Sequence, residues 1–202
     1  MFSIKTDKIW IYPFGGITKL EMNINENPIK ELLILIMGPI FQNLAFVMLL
    51  FLIKEKEMIT IIHFGILVFN LLPIYPLDGG KLLNLLLNIL FPYKKSLHLS
   101  IAISYLLAIL FLLWDKAFSL NRIMLFLMII ALAYKEEKKI SMYFNKFLME
   151  RILKDHTHKK IRIIKNIRDL YRYYNNVFKV NNHLYLEREY LLQNYKIFKE
   201  KC

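Results

Sequence analysis

One carboxylate stands in an otherwise apolar half of the chain, within the stretch NLLPIYPLDGG at positions 70–80. Asp78 follows two prolines and precedes two glycines, and Asn70 lies two helical turns before it. A charge near the bilayer centre costs about 2.5–3.5 kcal/mol on insertion scales, so such a residue is a functional-site candidate by default. An acid in a broken membrane helix can build an ion site, or it can cap the next helix for about 1 kcal/mol. The residues leave both roles open.

The elements around Asp78 have the composition of membrane helices. Leu32–Ile53 is one apolar run, and Met58–Phe91 is a second of 34 residues. As one straight helix the second run would be roughly 50 Å long, against a hydrocarbon core of ~30 Å. We therefore expect it to break at residues 73–80, where Pro73, Pro76, Gly79 and Gly80 lie. Shorter runs at Leu97–Trp114 and Phe118–Tyr134 complete about four predicted transmembrane helices.

Charge is distributed unevenly along the chain. Residues 135–202 hold 17 Lys and Arg against 8 Asp and Glu, which accounts for nine of the twelve net positive charges. Basic residues in short loops favour the cytoplasmic side, so we expect a basic cytoplasmic tail on an integral membrane protein. The predicted organisation is a hairpin region at 1–30, a membrane core at 31–134 and the tail at 135–202.

Short β-prone segments occur at both ends of the chain. Residues 9–22 flank Gly15-Gly16, which permits a tight turn, so a membrane-associated β-hairpin is predicted there. In the tail, helical spacing at Ser141–Leu153, a hairpin at Asn181-Asn182 and a helix over Glu187–Lys199 are predicted. The fold class is thus an all-α polytopic membrane protein with an N-terminal hairpin and a small tail.

The motif at 70–80 resembles the N-x-x-P-x-x-P-L-D-G-G stretch of the site-2 protease family of intramembrane zinc metalloproteases. Other family landmarks follow in order: PFGG at 13–16, then Glu31 with GPIFQN, which contains Gly38, Pro39 and Asn43. The chain most resembles the sporulation branch of that family, over about residues 9–153. The resemblance implies that this protein lies in a bacterial cytoplasmic membrane or, as in that branch, in the mother-cell membrane around the forespore.

The resemblance implies a set of roles. Asp78 would be one ligand of a single zinc ion, and Asn70 would stabilise the reacting carbonyl. Phe14, Gly15 and Gly16 would bind the substrate by β-addition. The implied structural residues are Gly38, Pro39, Asn43, Pro73, Pro76, Gly79 and Gly80. The substrate would be a membrane-tethered protein such as a sporulation sigma-factor precursor, and a membrane regulator is a further implied partner.

The other half of the zinc site is absent from this sequence. The family holds zinc with an H-E-x-x-H helix, and none of the five histidines here, His63, His98, His156, His158 and His183, is followed by Glu. Catalytic zinc needs about three protein ligands, so we expect this chain alone to be inactive and to bind no zinc. In the family that helix precedes the hairpin, so a reading frame that starts late or is interrupted upstream is the expected explanation.

Three other interpretations remain. A non-catalytic relative would bind a membrane segment or a partner protein through the hairpin and the 70–80 cleft. A small transporter would use Asp78 as an ion site, but the 58–91 segment has no inverted repeat. Interleaved Lys, Arg and Tyr in the tail are compatible with nucleic-acid binding, although the positive-inside bias explains the same charges and we do not expect that partner.

Overall fold

The computed structural model describes residues 6–12, 15–20, 25, 27–53, 56–113, 120–154, 158, 160–181 and 183–200. Its helices are α1 (Pro28–Leu52), α2 (Lys56–Leu71), α3 (Asp78–Leu90), α4 (Tyr93–Leu113), α5 (Leu120–Leu153) and α6 (Glu187–Glu200). Its strands are β1 (Thr6–Tyr12), β2 (Gly15–Leu20), β3 (Ile161–Ile164), β4 (Asn175–Val180) and β5 (His183–Leu186). A short 3-10 turn covers Ile167–Asp169.

Two of the described helices, α1 and α4, are long and apolar enough to cross a membrane, each with a mean hydropathy of 2.2. Asn27 caps α1 by accepting a hydrogen bond from the Ile29 amide at 3.0 Å, and Pro28 occupies the first turn, where its missing N–H costs nothing. No residue of α1 is buried. Such an apolar helix needs a lipid or protein environment. The four predicted spans are not confirmed.

The apolar run at 58–91 is broken, as expected, and forms α2 and α3. The helical ends place the break at residues 72–77, so Asp78, Gly79 and Gly80 belong to α3 and not to the break. With 16 and 13 residues, α2 and α3 are each shorter than the about 20 residues that a crossing needs.

The predicted separation between a fourth span and a helix at Ser141–Leu153 is wrong, because α5 is one helix of 34 residues. The charged segment KEEKK at 135–139 continues the helix. Its residues are good helix formers, and Lys139 pairs with Glu136 one turn away. At 1.5 Å per residue α5 is about 51 Å long, more than the hydrocarbon core.

The tail contains a three-stranded sheet in the order β3-β4-β5. The hairpin β4–β5 and α6 lie where the sequence predicts them, and Asn181 makes the turn with a positive φ of 48°. Strand β3, which pairs parallel with β4, was not predicted. Its four residues, IRII, have no clear period, and a parallel partner is set by tertiary packing.

The main core lies where α4 and α5 meet the tail sheet. Its largest members are aromatic: Tyr93 packs on Phe147 with 4.6 Å between ring centroids, and Phe178 of β4 stacks on Tyr190 of α6 at 4.1 Å. The core therefore joins the apolar helices to the tail.

Buried charges fix the tail against the helices. The guanidinium of Arg151 donates to the carbonyl oxygens of Tyr171, at 3.1 Å, and of Tyr174, at 3.3 Å. Burial lowers the pKa of Arg151, and the Glu187 carboxylate, 3.5 Å away, partly opposes this. The tail is thus held by buried groups that would be costly to leave unpaired.

The N-terminal hairpin is present, with slightly different bounds. Strands β1 and β2 pair antiparallel, and Tyr12 and Ile11 lie opposite Gly15 and Gly16. The two glycines therefore begin β2, and the connecting positions are 13 and 14, which lie outside the described residues.

Candidate functional site

The two prolines shape the break between α2 and α3. Helix α2 ends at Leu71 because Pro73 lacks an amide proton and disfavours helical geometry at the residue before it. The freed backbone groups pair locally: Leu72 donates to the carbonyl of Phe69 at 3.2 Å, and Leu77 donates to that of Ile74 at 2.8 Å. The Tyr75–Pro76 bond is cis. The result is a compact turn rather than an open loop.

Gly79 and Gly80 let α3 begin in contact with that turn. A Cβ on Gly79 would lie 2.1 Å from the carbonyl oxygen of Leu71, and one on Gly80 would lie 2.5 Å from the Tyr75 nitrogen. Both obstacles are backbone atoms, which cannot move aside. No side chain fits at either position, so the two glycines fix where Asp78 stands.

Ser104 on α4 bonds the backbone of the break, a contact that the sequence did not predict. The Ser104 hydroxyl accepts a hydrogen bond from the Tyr75 amide at 2.7 Å, and it donates to the Ser100 carbonyl at 2.8 Å. Ser96, Ser100 and Ser104 are all buried on one face of α4, four residues apart. Small residues at this spacing permit close helix packing. The S-x3-S-x3-S pattern was a readable signal for this face.

Asp78 lies in the first turn of α3, with Leu77 at the N-cap and no side-chain capping bond. One carboxylate oxygen pairs with Lys81 at 2.9 Å, and both side chains are partly exposed, at 33% for Asp78 and 46% for Lys81. The other oxygen, Oδ2, lies 3.6 Å from where a Cβ on Gly38 would be. Within the described part of the chain, Oδ2 accepts no hydrogen bond. Asp78 therefore keeps one oxygen for a further partner.

The family-motif residues on α1 lie in two different environments. Gly38 faces Asp78, whereas Asn43 lies further along and bonds His63, with 3.1 Å between Oδ1 and the ring Nε2. The His63 ring also stacks on Phe46 at 4.0 Å. His63 is buried at the α1–α2 interface and contacts Asn43 rather than Asp78. Pro39 lies within α1, and its carbonyl accepts a bond from the Asn43 side chain at 2.9 Å.

The remaining predicted site residues are spread along the chain. Asn70 is half-buried in the last turn of α2, and it makes no hydrogen bond to Asp78. Pro73 is exposed and Pro76 half-buried in the break. Gly15 and Gly16 start β2, and Phe14 lies outside the described residues.

A zinc site requires a sufficient set of coordinating side chains. The described residues contain no group of three or more His, Cys, Asp or Glu side chains that could hold a metal ion. Asp78 with its open Oδ2 suits one coordination position, but a catalytic zinc needs about three protein ligands. The donor set in the described residues does not fit a zinc ion by itself.

A second acid, which the sequence identified only as a landmark, has a different environment. Glu31 in the first turn of α1 pairs with Arg172 at 2.7 Å and accepts from the Tyr173 hydroxyl at 3.2 Å. Burial is the largest single influence on the pKa of Arg172 and lowers it, but the Glu31 carboxylate together with Tyr173 and Tyr93 raises that pKa above its ordinary value. Glu31 is thus occupied in joining α1 to the tail. Nothing in the sequence indicated this pairing across about 140 residues.

Two curated proteins resemble this chain. One is the stage IV sporulation protein FB of Bacillus subtilis, 29% identical over 161 residues, which cover 74% of this chain and 56% of that protein. The other is a zinc metalloprotease of Methanocaldococcus jannaschii, 27% identical over 123 residues, which cover 56% of this chain and 35% of that protein. These homologues are consistent with the site-2 protease family. The resemblance to its sporulation branch is confirmed.

The site-2 protease resemblance extends over part of the relatives only. The chain spans about half the length of the first relative and about a third of the second. No family model matches the chain. The second relative is named a zinc metalloprotease, which favours a protease-type family over the non-catalytic alternative.

Proposed function

We propose that this protein acts as an intramembrane zinc metalloprotease of the site-2 type, in which Asp78 is one zinc ligand. Oδ2 of Asp78 carries the proposal. The close backbone contacts of Gly79 and Gly80 place the start of α3, and the Asp78 carboxylate keeps one oxygen unpaired among the described residues. The name of one relative, a zinc metalloprotease, supports the same chemistry.

The proposal needs ligands that these 202 residues do not supply. The sequence has no H-E-x-x-H, so two histidines and a glutamate must come from polypeptide outside it. We expect the 202-residue chain alone to retain no zinc and to hydrolyse no peptide, because one carboxylate is too few ligands.

The chain's own residues then have positioning and binding roles. Asp78 presents its open oxygen beside Gly38, 3.6 Å from where a Cβ on that glycine would be. Asn70, eight residues earlier at the end of α2, offers an amide that can stabilise a developing oxyanion. The paired strands β1 and β2 offer an edge to an extended substrate by β-addition.

The proposed substrate class is a membrane-tethered protein. An apolar α1 without buried residues, and a hairpin that precedes it in the chain, suit a substrate that leaves the bilayer in extended form. The candidate substrate is a sporulation sigma-factor precursor, for which the first relative's name supports only the link to sporulation. A membrane regulator remains a proposed partner.

Zinc content of the native protein tests the proposal. The protein would be purified from host membranes as wild type, Asp78→Asn and Glu57→Gln. Glu57 is an exposed acid in the first turn of the neighbouring helix α2, so its replacement is a matched control. We expect about one zinc per wild-type and Glu57→Gln molecule and at least a ten-fold lower content in Asp78→Asn, since a catalytic site needs about three ligands.

The same strains give an activity readout. Membrane-tethered proteins that are cleaved in the wild type should accumulate uncleaved in the Asp78→Asn strain, as measured by proteomics, and not in the Glu57→Gln strain. Equal zinc content in all three proteins would contradict the assignment of Asp78. A wild type without zinc would contradict the proposed function itself.

A further inference from the structure

A basic cavity of about 460 Å³ lies between the α3–α4 connection and the tail, away from Asp78. Its lining includes three lysines, Lys95, Lys165 and Lys179, and a single acid, Asp169. Among the residues that the structure describes, no other charged side chain lines it, so these four side chains give the cavity two net positive charges. Within the described part of the chain, none of the three lysine side chains makes an ion pair or a hydrogen bond.

The position of Lys95 makes an anion more favourable still. Lys95 lies in the first turn of α4, which holds no acidic residue. The helix dipole is positive at this end and disfavours a cation there, whereas it favours an anion. Lys94, next in the chain, is already placed over the Phe144 ring at 5.5 Å. The unpaired cation at this helix start is therefore the one that faces the cavity.

Part of the cavity lining is apolar. Phe91 and Ile163 line it, and Phe91 is 40% exposed. Just before Phe91, α3 presents Leu86 and Leu90, which are exposed at 57% and 65%. A positively charged pocket thus opens beside an uncovered apolar helix end. That combination matches a ligand with an anionic head and a hydrocarbon chain.

One face of the tail sheet continues this apolar surface. Ile163, Val177 and Leu186 lie opposite one another across β3, β4 and β5, so their side chains share a face. Ile161 and Leu184 lie on the same face. Four of these five side chains are more than 60% exposed: Ile161, Ile163, Leu184 and Leu186. The opposite face holds Ile164 and Phe178, which are buried in the core. Lys179 lies on the exposed face, opposite Leu184.

We propose that the cavity binds the head group of an anionic phospholipid and that the apolar face of the tail sheet rests on the bilayer around it. The lysines complement the lipid phosphate, and Phe91, Leu90 and Ile163 contact its hydrocarbon part. Basic pockets beside membrane helices suit such head groups, and exposed apolar patches mark interaction surfaces. A free phosphate would leave the apolar surface exposed to water. Nucleic acid needs basic side chains along its backbone, whereas the surface around the cavity presents isoleucine and leucine.

This site is separate from Asp78, so it stands or fails independently of the protease proposal. The full chain would be purified in a neutral detergent and titrated with phosphatidylglycerol and, separately, with phosphatidylcholine of identical acyl chains. Native mass spectrometry would count the lipids retained. We expect wild type to prefer phosphatidylglycerol by at least about ten-fold, since each lysine near an anionic head group contributes about five-fold.

Two triple variants of equal charge test the cavity. Lys95→Gln with Lys165→Gln and Lys179→Gln should lower the affinity for phosphatidylglycerol by at least about ten-fold and leave that for phosphatidylcholine unchanged. The control replaces three lysines outside the cavity that are exposed, Lys56, Lys135 and Lys146, by Gln. It should keep the preference. Equal losses in the two triple variants would mean non-specific attraction and would overturn the site.

A surface substitution and a soluble competitor complete the test. Ile163→Gln, at a position 62% exposed, should weaken both lipids to the same degree because it removes only apolar contact. Inorganic phosphate should displace phosphatidylglycerol only weakly. Full displacement by phosphate, or no preference of wild type for the anionic lipid, would overturn the proposal.

Discussion

Glu31 and Asp78 are acids in equivalent local positions with opposite surroundings. Each lies in the first turn of a helix, where a negative charge is favoured by the helix dipole. Glu31 is bound by Arg172 and Tyr173, and its side chain is 26% exposed. Within the described ranges, the Asp78 carboxylate pairs with Lys81 alone, and the Lys81 side chain is 46% exposed.

The difference separates a structural carboxylate from a candidate ligand. The Arg172 that pairs with Glu31 is 6% exposed, so removing either partner would leave a charge without compensation in a poorly solvated place. The Asp78–Lys81 pair faces solvent or further polypeptide, and exposed pairs contribute only about 0–1 kcal/mol. The fold therefore uses Glu31 for attachment of the tail, whereas it holds Asp78 in place through its neighbours.

The glycines beside Asp78 should give the largest effect on that comparison. Gly79→Ala places a Cβ against the Leu71 carbonyl, and backbone cannot yield, so we expect a loss beyond the about 1–3 kcal/mol usual for overpacking. Little folded protein should elute as a single species in size-exclusion chromatography. Gly65→Ala is the control, because nothing lies within 4 Å of its Cβ position. It should be neutral or gain up to about 1 kcal/mol from helix propensity. Normal folding of Gly79→Ala would show that the break can move.

The ion pairs come next. Arg172→Met should lower the free energy of unfolding by about 3–5 kcal/mol, because it strands Glu31. Lys81→Met should lower it by less than about 1 kcal/mol. Denaturant titration measures both, and hydrogen exchange at residues 170–176 should accelerate only in Arg172→Met. Adding Glu31→Gln to Arg172→Met should restore part of the loss. Equal effects of the two single substitutions would remove the distinction between the acids.

The hydrogen bond from the Tyr75 amide to Ser104 is expected to contribute less to stability than the Glu31–Arg172 pair. Ser104→Ala removes the acceptor of the Tyr75 amide, and leaving a buried donor unpaired costs about 1–3 kcal/mol. Ser141→Ala, on an exposed part of α5, should stay within about 0.5 kcal/mol of wild type. Thermal unfolding in detergent distinguishes the two. Identical melting temperatures would mean that the glycines alone hold the break in place.

Much of the architecture follows from the sequence, because local rules govern it. Apolar runs longer than a bilayer is thick must break at prolines, and the break lies within three residues of the prediction. The tail hairpin was readable from Asn181-Asn182, since asparagine tolerates the positive φ that the turn needs. The continuous α5 was missed, because a charged segment was taken as a boundary although its residues favour a helix.

The amino-acid sequence by itself determined which residue types are available for chemistry, Asp78 and Asn70 with no H-E-x-x-H, and where the chain must bend. Tertiary structure alone decided which carboxylate is occupied. Glu31 and Arg172 are about 140 residues apart, and no local pattern encodes a contact at that separation. The same holds for the cavity lysines, which come from α4 and two segments of the tail. Their proximity depends on how α4 and α5 pack against the sheet, through van der Waals contacts and buried hydrogen bonds that no periodicity in the sequence records.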